Sequence, residues 1–298
     1  MAMQNPHEEA LQQLPSELND IIARLAAAKA SEAHLTLPRK SQAGVLVLLC
    51  PSRTSGEVHV LLTTRAMTMR SFPGETALPG GKMEESDVDI ASTALREALE
   101  ETALDAAKND IKVINTLQPY LSKNLLFVIP TVAYTATFAE DLLLQLKPNA
   151  AEVGAIWTWP LKDMLGLATD ESVDGLEAKE VTNGDQHYEN DNQRKVRYSY
   201  RDVKWLSGAS FRLHEFQHED MGSAITGLTA EILLEVALIA YNKKAPYFER
   251  AAPGQLSAME MVKAVLDGRA GLDGDERSSL RKGRVTEDTV AAVGAPIT

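Results

Sequence analysis

Three carboxylates at one spacing are the residues in this chain best suited to chemistry. Glu97, Glu100 and Glu101 fall in the run Arg96-Glu97-Ala98-Leu99-Glu100-Glu101. On a helix, positions i, i+3 and i+4 share one face, one turn apart. Like charges packed that closely destabilise a helix modestly, so the cluster makes sense where a hard divalent cation neutralises it. Mg²⁺ takes oxygen ligands and keeps several of its waters. A solvated acidic helix face is the competing reading, and the usual meaning of a charge run. Just upstream stands Pro79-Gly80-Gly81-Lys82. Glycine permits close approach of the backbone to a metal or phosphate, although a Gly-Gly pair alone marks only a turn. The glycine loop, the acidic helix and an arginine beside the acids form a more specific set than any of the three.

Read together, Gly81 through Leu104 resembles the Nudix box, G-x5-E-x7-R-E-U-x-E-E-x-G-U with U a bulky aliphatic. Arg96-Glu97, Glu100-Glu101 and Leu104 match it directly. Asp87 stands at the position of the first glutamate. From Asp87 to Arg96 there is one residue more than the box allows, Ala98 is small, and Ala103 replaces the last glycine. The lengthened box is similar to that of the coenzyme A branch of the family. So is the preceding stretch Leu61-Leu62-Thr63-Thr64-Arg65-Ala66-Met67-Thr68-Met69-Arg70-Ser71-Phe72-Pro73-Gly74, which leads to Leu78-Pro79-Gly80-Gly81. In it Ala66 and Leu78 replace the usual Ser and Phe. The two signatures cover residues 61–104, and looser likeness, including Gly227-Leu-Thr-Ala230, extends over 42–250.

The resemblance implies an α/β Nudix sandwich of α/β/α layers, with an added N-terminal helix and a C-terminal helix. It implies a hydrolase that cleaves a diphosphate with Mg²⁺ or Mn²⁺, where the metal steadies attacking and leaving oxygens. Glu97, Glu100 and Arg96 are its implied catalytic residues. Glu97 and Glu101, with Glu100 beside them and a carbonyl of Gly80 or Gly81, are the implied metal ligands. Arg96 is expected to orient Glu97 by a bidentate pair, or else to pair with Glu100 at the surface. Arg65, Arg70 and Lys82 are the cations expected to meet substrate phosphates. Glu152, before a strand, is a further ligand or base, or simply a carboxylate at a strand start. The substrate expectation is coenzyme A or acyl-coenzyme A. Oxidised nucleoside triphosphates or a dinucleotide are the alternative, and a non-catalytic binding module with the same fold is the rival from another class.

The elements that must position these residues can be read from patterning. Leu11, Leu14, Leu18, Ile21, Ile22 and Leu25 predict an amphipathic helix over 8–30, with Pro15 a break or first-turn residue. Gly44–Cys50 is wholly apolar, as in a strand buried on both faces. Val58–Thr64 is its hairpin partner, and a Gly/Pro-rich loop runs from Ser71 to Lys82. Ile90, Ala91, Ala94, Leu95, Ala98, Leu99 and Leu104 give an apolar stripe on a helix over 87–107. Strands are expected at 111–117, 126–137, 153–159 and 197–206, and a buried helix over 224–243. Segment 168–196 reads as a polar surface insertion, partly disordered. The chain from about 267 reads as a frayed tail. The domain reading is a helical extension over 1–40, a Nudix domain over 41–250 and a C-terminal extension over 251–298, partly disordered.

Composition limits the alternatives. The chain has 298 residues, 44% hydrophobic and 24% charged, an ordinary globular mix. Its net charge of −12 disfavours non-specific nucleic-acid binding, which depends on neutralising phosphates. An acidic protein that handles phosphates needs local cations or metal. Cys50 is the only cysteine, so no intrachain disulfide is possible and a reducing compartment fits. The apolar run 44–51 is far shorter than the roughly 20 residues of a membrane span. The first residues lack the pattern of a secretory signal, and Ala295-Pro-Ile-Thr298 is not a peroxisomal address of the Ser-Lys-Leu type. An intracellular protein is expected, its organelle and oligomeric state open, with a small-molecule substrate and neither nucleic-acid nor membrane partner. His34, His59, His187, His214 and His218 show no metal spacing. Met67 and Met69 read as packing residues.

Overall fold

The structure, a computed structural model, describes residues 15–165, 186–189, 195–205, 209–218, 221–243 and 250–267. The predicted beginning of the first helix, most of segment 168–196 and the predicted tail lie outside the described residues.

Helix α1 (Ser16–Ala27) starts after Pro15, whose fixed φ suits a helix entrance. A hairpin follows, β1 (Gln42–Pro51) and β2 (Val58–Arg65). The Gly/Pro-rich stretch is not loop throughout. It holds two short strands, β3 (Thr76–Ala77) and β4 (Gly80–Lys82), and β4 pairs antiparallel with β1 through Gly81 opposite Gly44. Helix α2 (Ile90–Thr102) carries the acids. Then come β5 (Lys112–Thr116), β6 (Tyr120–Leu121), β7 (Phe127–Tyr134), α3 (Ala139–Gln145) and β8 (Val153–Pro160). These eight strands form one mixed sheet ordered β3-β2-β1-β7-β5, with β8 on β2, β4 on β1 and β6 on β7. Only β1 and β7 run parallel among these pairs.

The wholly apolar run Gly44–Cys50 of β1 is explained by its two neighbours. Leu46, Leu48 and Cys50 pack with Ala94, Ala98 and Leu104 on the α2 side. Ala43, Val47 and Leu49 point the other way, into the larger core. That core contains Leu18, Ile21 and Leu25 of α1. It also holds Ile232, Leu233 and Val236 of helix α4 (Gly227–Ala240), which is apolar nearly all round and is buried to match. The layers are thus helix, sheet, helix, as expected. The apolar face of α1 is spent inside the molecule. Among the described residues no helix is long and apolar enough to cross a membrane.

The strand expected at 197–206 belongs to a second sheet, whose other three strands patterning missed. Strands β9 (Gln186–Glu189), β10 (Lys195–Trp205), β11 (Ala209–His218) and β12 (Met221–Thr226) form an antiparallel sheet in the order β12-β11-β10-β9. Segment 168–196 therefore contributes strand structure at 186–189 and 195–196. Phe216, Tyr198 and Ile225 join the large core from this sheet. Helix α5 (Ala258–Leu266) lies within the extension expected to be partly disordered. Its Met261, Val262 and Val265 are buried against Leu121, Phe127, Ile129 and Phe211. One residue of the predicted stripe also differs, since Leu99 is 49% exposed.

Candidate functional site

The site is built where α2 crosses the β1–β4 pair. Asp89 caps α2 by accepting the Ser92 N–H at 2.7 Å, and Ser92 Oγ accepts the Asp89 N–H at 3.0 Å. The helix ends at Ala103, whose φ of +59° is left-handed. Ala103 stands where the Nudix box has glycine, so the backbone keeps the box geometry without its usual residue.

Two glycines let β4 lie close to β1 and to Glu97 of α2. A Cβ at Gly80 would lie 2.4 Å from the Gly44 carbonyl oxygen and 2.7 Å from Val45 Cα, both backbone atoms. A Cβ at Gly81 would lie 2.4–2.6 Å from the Glu97 carboxyl atoms. Glycine is thus required at 80 by strand pairing, whereas at 81 a Cβ would have to displace the carboxyl end of the Glu97 side chain. Glu101 lies beneath the same strand and accepts the Gly80 N–H at 3.1 Å. The contact visible at Gly80 is its N–H, whereas the sequence reading expected a carbonyl.

Arg96 differs from expectation as well. Its guanidinium fork grips Asp87, Nε to Oδ1 at 2.9 Å and Nη2 to Oδ2 at 3.0 Å. It reaches Glu97 Oε1 by one nitrogen at 3.0 Å and Glu100 Oε2 by the same nitrogen at 3.1 Å. Its Nη2 also donates to the Lys82 carbonyl at 3.0 Å. The bidentate pair is with Asp87, and Glu97 receives a single bond. Sequence reasoning missed this role, although Asp87 occupied the acid position of the box. Asp87 further accepts the Glu84 N–H at 2.9 Å and the Thr93 hydroxyl at 2.9 Å. The Arg96 bonds, opposed by burial and helped by these two, hold its carboxyl down at about 2.

The acids of α2 do not converge as three. Glu100 turns outward, its side chain 54% exposed. Glu97 is half-buried, and burial lifts its carboxyl above the usual range against the pull of Arg96. Glu101 is only 8% exposed. Burial first, then the charges of Glu97 and Glu152, push its carboxyl up to about 7, while the Gly80 N–H and Arg65 pull the other way. Glu152 thus belongs electrostatically to the pair Glu97 and Glu101. Among the described residues no three His, Cys, Asp or Glu side chains form a metal-binding group.

Of the three candidate cations, Arg65 acts on Glu101. Its Nε donates to the Ser71 carbonyl at 3.2 Å, which folds the side chain over the loop that follows β2. Arg70 is exposed in that loop, and Lys82 is exposed at the end of β4. Met67, in the same loop, is 78% exposed and is no core residue.

A family model described as NUDIX domain matches residues 40–176. Nudix hydrolase 15, mitochondrial, of Arabidopsis thaliana is 31% identical over 214 residues, covering 71% of this chain and 63% of the relative. The uncharacterized Nudix hydrolase NudL of Pectobacterium atrosepticum is 33% identical over 159 residues, covering 50% of this chain and 72% of that protein. The peroxisomal coenzyme A diphosphatase NUDT7 of Mus musculus is 29% identical over 188 residues, covering 62% of this chain and 64% of the relative. The chain thus spans just under two thirds of the length of the Arabidopsis and mouse relatives.

Proposed function

The chain belongs to the Nudix hydrolase family, and on that premise we propose that it hydrolyses the diphosphate of coenzyme A or acyl-coenzyme A. The products would be 3′,5′-ADP and phosphopantetheine or its acyl form. The observation that carries the reading is the buried Glu101 beside Glu97, within the field of Glu152 and under the glycine strand. A carboxyl in that place is costly to charge unless a cation lies beside it. Two carboxylates with water suffice for Mg²⁺, which rarely needs an all-protein cage, so the residues present fit it. Mn²⁺ suits the same oxygen donors. Glu97 and Glu101 would hold the ion, with Glu152 nearby. When bound, it would stabilise negative charge on the reacting phosphoryl oxygens.

The chain's own residues do the rest. Arg96, anchored on Asp87, holds Glu97 in place by its remaining nitrogen. Arg65 and Arg70 would take the substrate's phosphates, as an acidic protein requires. Exposed Met67 offers an apolar surface in the same loop. The name printed for the mouse relative supports coenzyme A as the substrate class. The relatives named mitochondrial and peroxisomal, and the single cysteine, support an intracellular location.

A substrate panel with Mg²⁺ and Mn²⁺, read by product identity, tests this. Release of 3′,5′-ADP from coenzyme A is expected. Release of pyrophosphate from oxidised nucleoside triphosphates alone would keep the family chemistry and replace the substrate. No turnover with any member would leave a binding module.

A further inference from the structure

The loop carrying Arg65 and Arg70 is held at its base by the second sheet, and the hydrogen atoms there can all be assigned. The loop closes between β2 and β3, where Arg65 N–H donates to the Glu75 carbonyl at 2.9 Å and Gly74 N–H to the Arg65 carbonyl at 3.1 Å. One residue below, Thr64 and Thr76 face each other across the two strands. Ser223 of β12 reaches both. Its hydroxyl lies 3.1 Å from Thr64 Oγ1 and 2.8 Å from Thr76 Oγ1, and Thr76 Oγ1 donates to the Ser223 carbonyl at 2.9 Å.

Only one direction of donation satisfies every group. The Trp157 indole N–H can only donate, and it donates to Thr64 Oγ1 at 3.1 Å. The single Thr76 hydroxyl hydrogen is committed to the Ser223 carbonyl. Thr64 must then donate to Ser223 Oγ, and Ser223 Oγ to Thr76 Oγ1. The chain runs Trp157 to Thr64 to Ser223 to Thr76 and closes on the Ser223 backbone. Two further contacts hold this junction, one from β12 and one from α4. Gly222 has φ +46°, and a Cβ there would lie 2.6 Å from Cε2 of the Trp157 ring, so the backbone rests against the indole. Thr229, in the first turn of α4, donates to the Thr76 carbonyl at 3.2 Å.

We propose that Ser223 is a positioning residue, which clamps the base of the Arg65–Arg70 loop and so sets where those two cations meet the substrate's phosphates. The clamp stands on the geometry, and its effect on substrate rests on the reading given under Proposed function. The second sheet thereby acquires a role at a site to which its side chains do not belong. Ser223 would touch no substrate and would act through Thr64 and Thr76.

The test is Ser223→Ala, with Ser223→Thr as the variant that keeps the hydroxyl. Amide hydrogen exchange over residues 65–75 is measured together with binding of 3′,5′-ADP and steady-state kinetics on coenzyme A. With the two hydrogen bonds of the Ser223 hydroxyl lost at the loop base, exchange of the Arg65 and Gly74 amides should speed up by at least about fivefold in Ser223→Ala. Binding of 3′,5′-ADP and KM should weaken by a similar factor, with kcat nearly unchanged, and Ser223→Thr should restore all three. Unchanged exchange in Ser223→Ala would overturn the clamp whatever the kinetics show. Faster exchange with unaltered 3′,5′-ADP binding would reduce Ser223 to a structural residue and overturn its positioning role. If wild-type protein neither binds 3′,5′-ADP nor cleaves coenzyme A, the proposed function fails, while exchange at residues 65–75 still decides the clamp.

Discussion

Glu101 is buried, accepts a backbone N–H and sits in the field of two other acids. A group placed this way is costly to charge unless something positive arrives. Glu101→Gln separates its two duties. The amide oxygen can still accept the Gly80 N–H, so the strand and helix stay together. The negative charge is lost, and with it several kcal/mol of metal-assisted stabilisation. Turnover at saturating Mg²⁺ is expected to fall by at least about a hundredfold. Thermal unfolding should show a melting temperature no lower than wild type, since repulsion from Glu97 and Glu152 is relieved. Near wild-type turnover would remove Glu101 from the ligands. Glu100→Gln provides the contrast. Its side chain faces solvent and Arg96, so a much smaller loss is expected.

Two elements carry further predictions. Ala103 ends α2 in the left-handed region, where a Cβ costs about 1–2 kcal/mol. Ala103→Gly should therefore stabilise the protein by about 0.5–1 kcal/mol after the extra chain entropy of glycine is deducted. Urea denaturation checks this, and a destabilised variant would contradict the cap reading. At the start of α3, Glu140 accepts the Ser52 hydroxyl at 2.8 Å and the N–H groups of Arg53 and Thr54 at 3.1 and 3.0 Å. It thus ties that helix to the β1–β2 turn. Burial opposes its charge, but these bonds and its own backbone N–H win and hold the carboxyl at about 2. Its folded value lies below the unfolded one, so its stabilisation is complete above about pH 4.5 and is lost as pH falls towards 2. Glu140→Gln should cost about 1 kcal/mol at pH 7. The difference should shrink below pH 4.5 and vanish near 2, and a pH-independent difference would assign the cost to packing. The box was legible because its acids, arginine and glycines sit within one short stretch of sequence. The destination of the Arg96 fork was not, because spacing alone does not say which of several acids a guanidinium faces. Neither was strand β4, whose pairing to β1 depends on the absence of a Cβ at Gly80 and leaves no hydrophobic alternation to read.

At the scale of the whole molecule, the longer strands of the first sheet and helices α1, α2 and α4 followed from patterning, whereas β3, β4, β6 and α3 did not, and only β10 was expected of the second sheet. Its strands β10 and β11 carry many polar residues, and their pairing is cross-strand, with Asp202 meeting Arg212 at 2.8 Å and Tyr198 meeting His214 at 2.9 Å. Such strands lack an apolar run, and the aromatic residues that join the core are scattered among charges. The same blindness hid α5, whose three buried residues find partners on β6, β7 and β11 that no local window contains. This gives a prediction with two arms. Removing residues 271–298 takes away a stretch with no periodic apolar face, so activity should stay within a few-fold. Ending the chain after Pro253 instead removes Met261, Val262 and Val265. It also removes Gln255, whose side chain accepts the Arg212 N–H at 2.7 Å and the Ala252 N–H at 3.0 Å. Each fully buried aliphatic side chain contributes about 1.5–3 kcal/mol, and Leu121, Phe127 and Phe211 would be uncovered as well. The shorter protein should therefore unfold at lower urea concentration and bind hydrophobic dyes. Because β11 leads into β12, loosening it should also reach Ser223 and raise KM before kcat. If the protein ending at Pro253 is as stable as the full chain, α5 is dispensable to the core. If the protein ending at residue 270 is inactive, the last 28 residues carry something their pattern does not show.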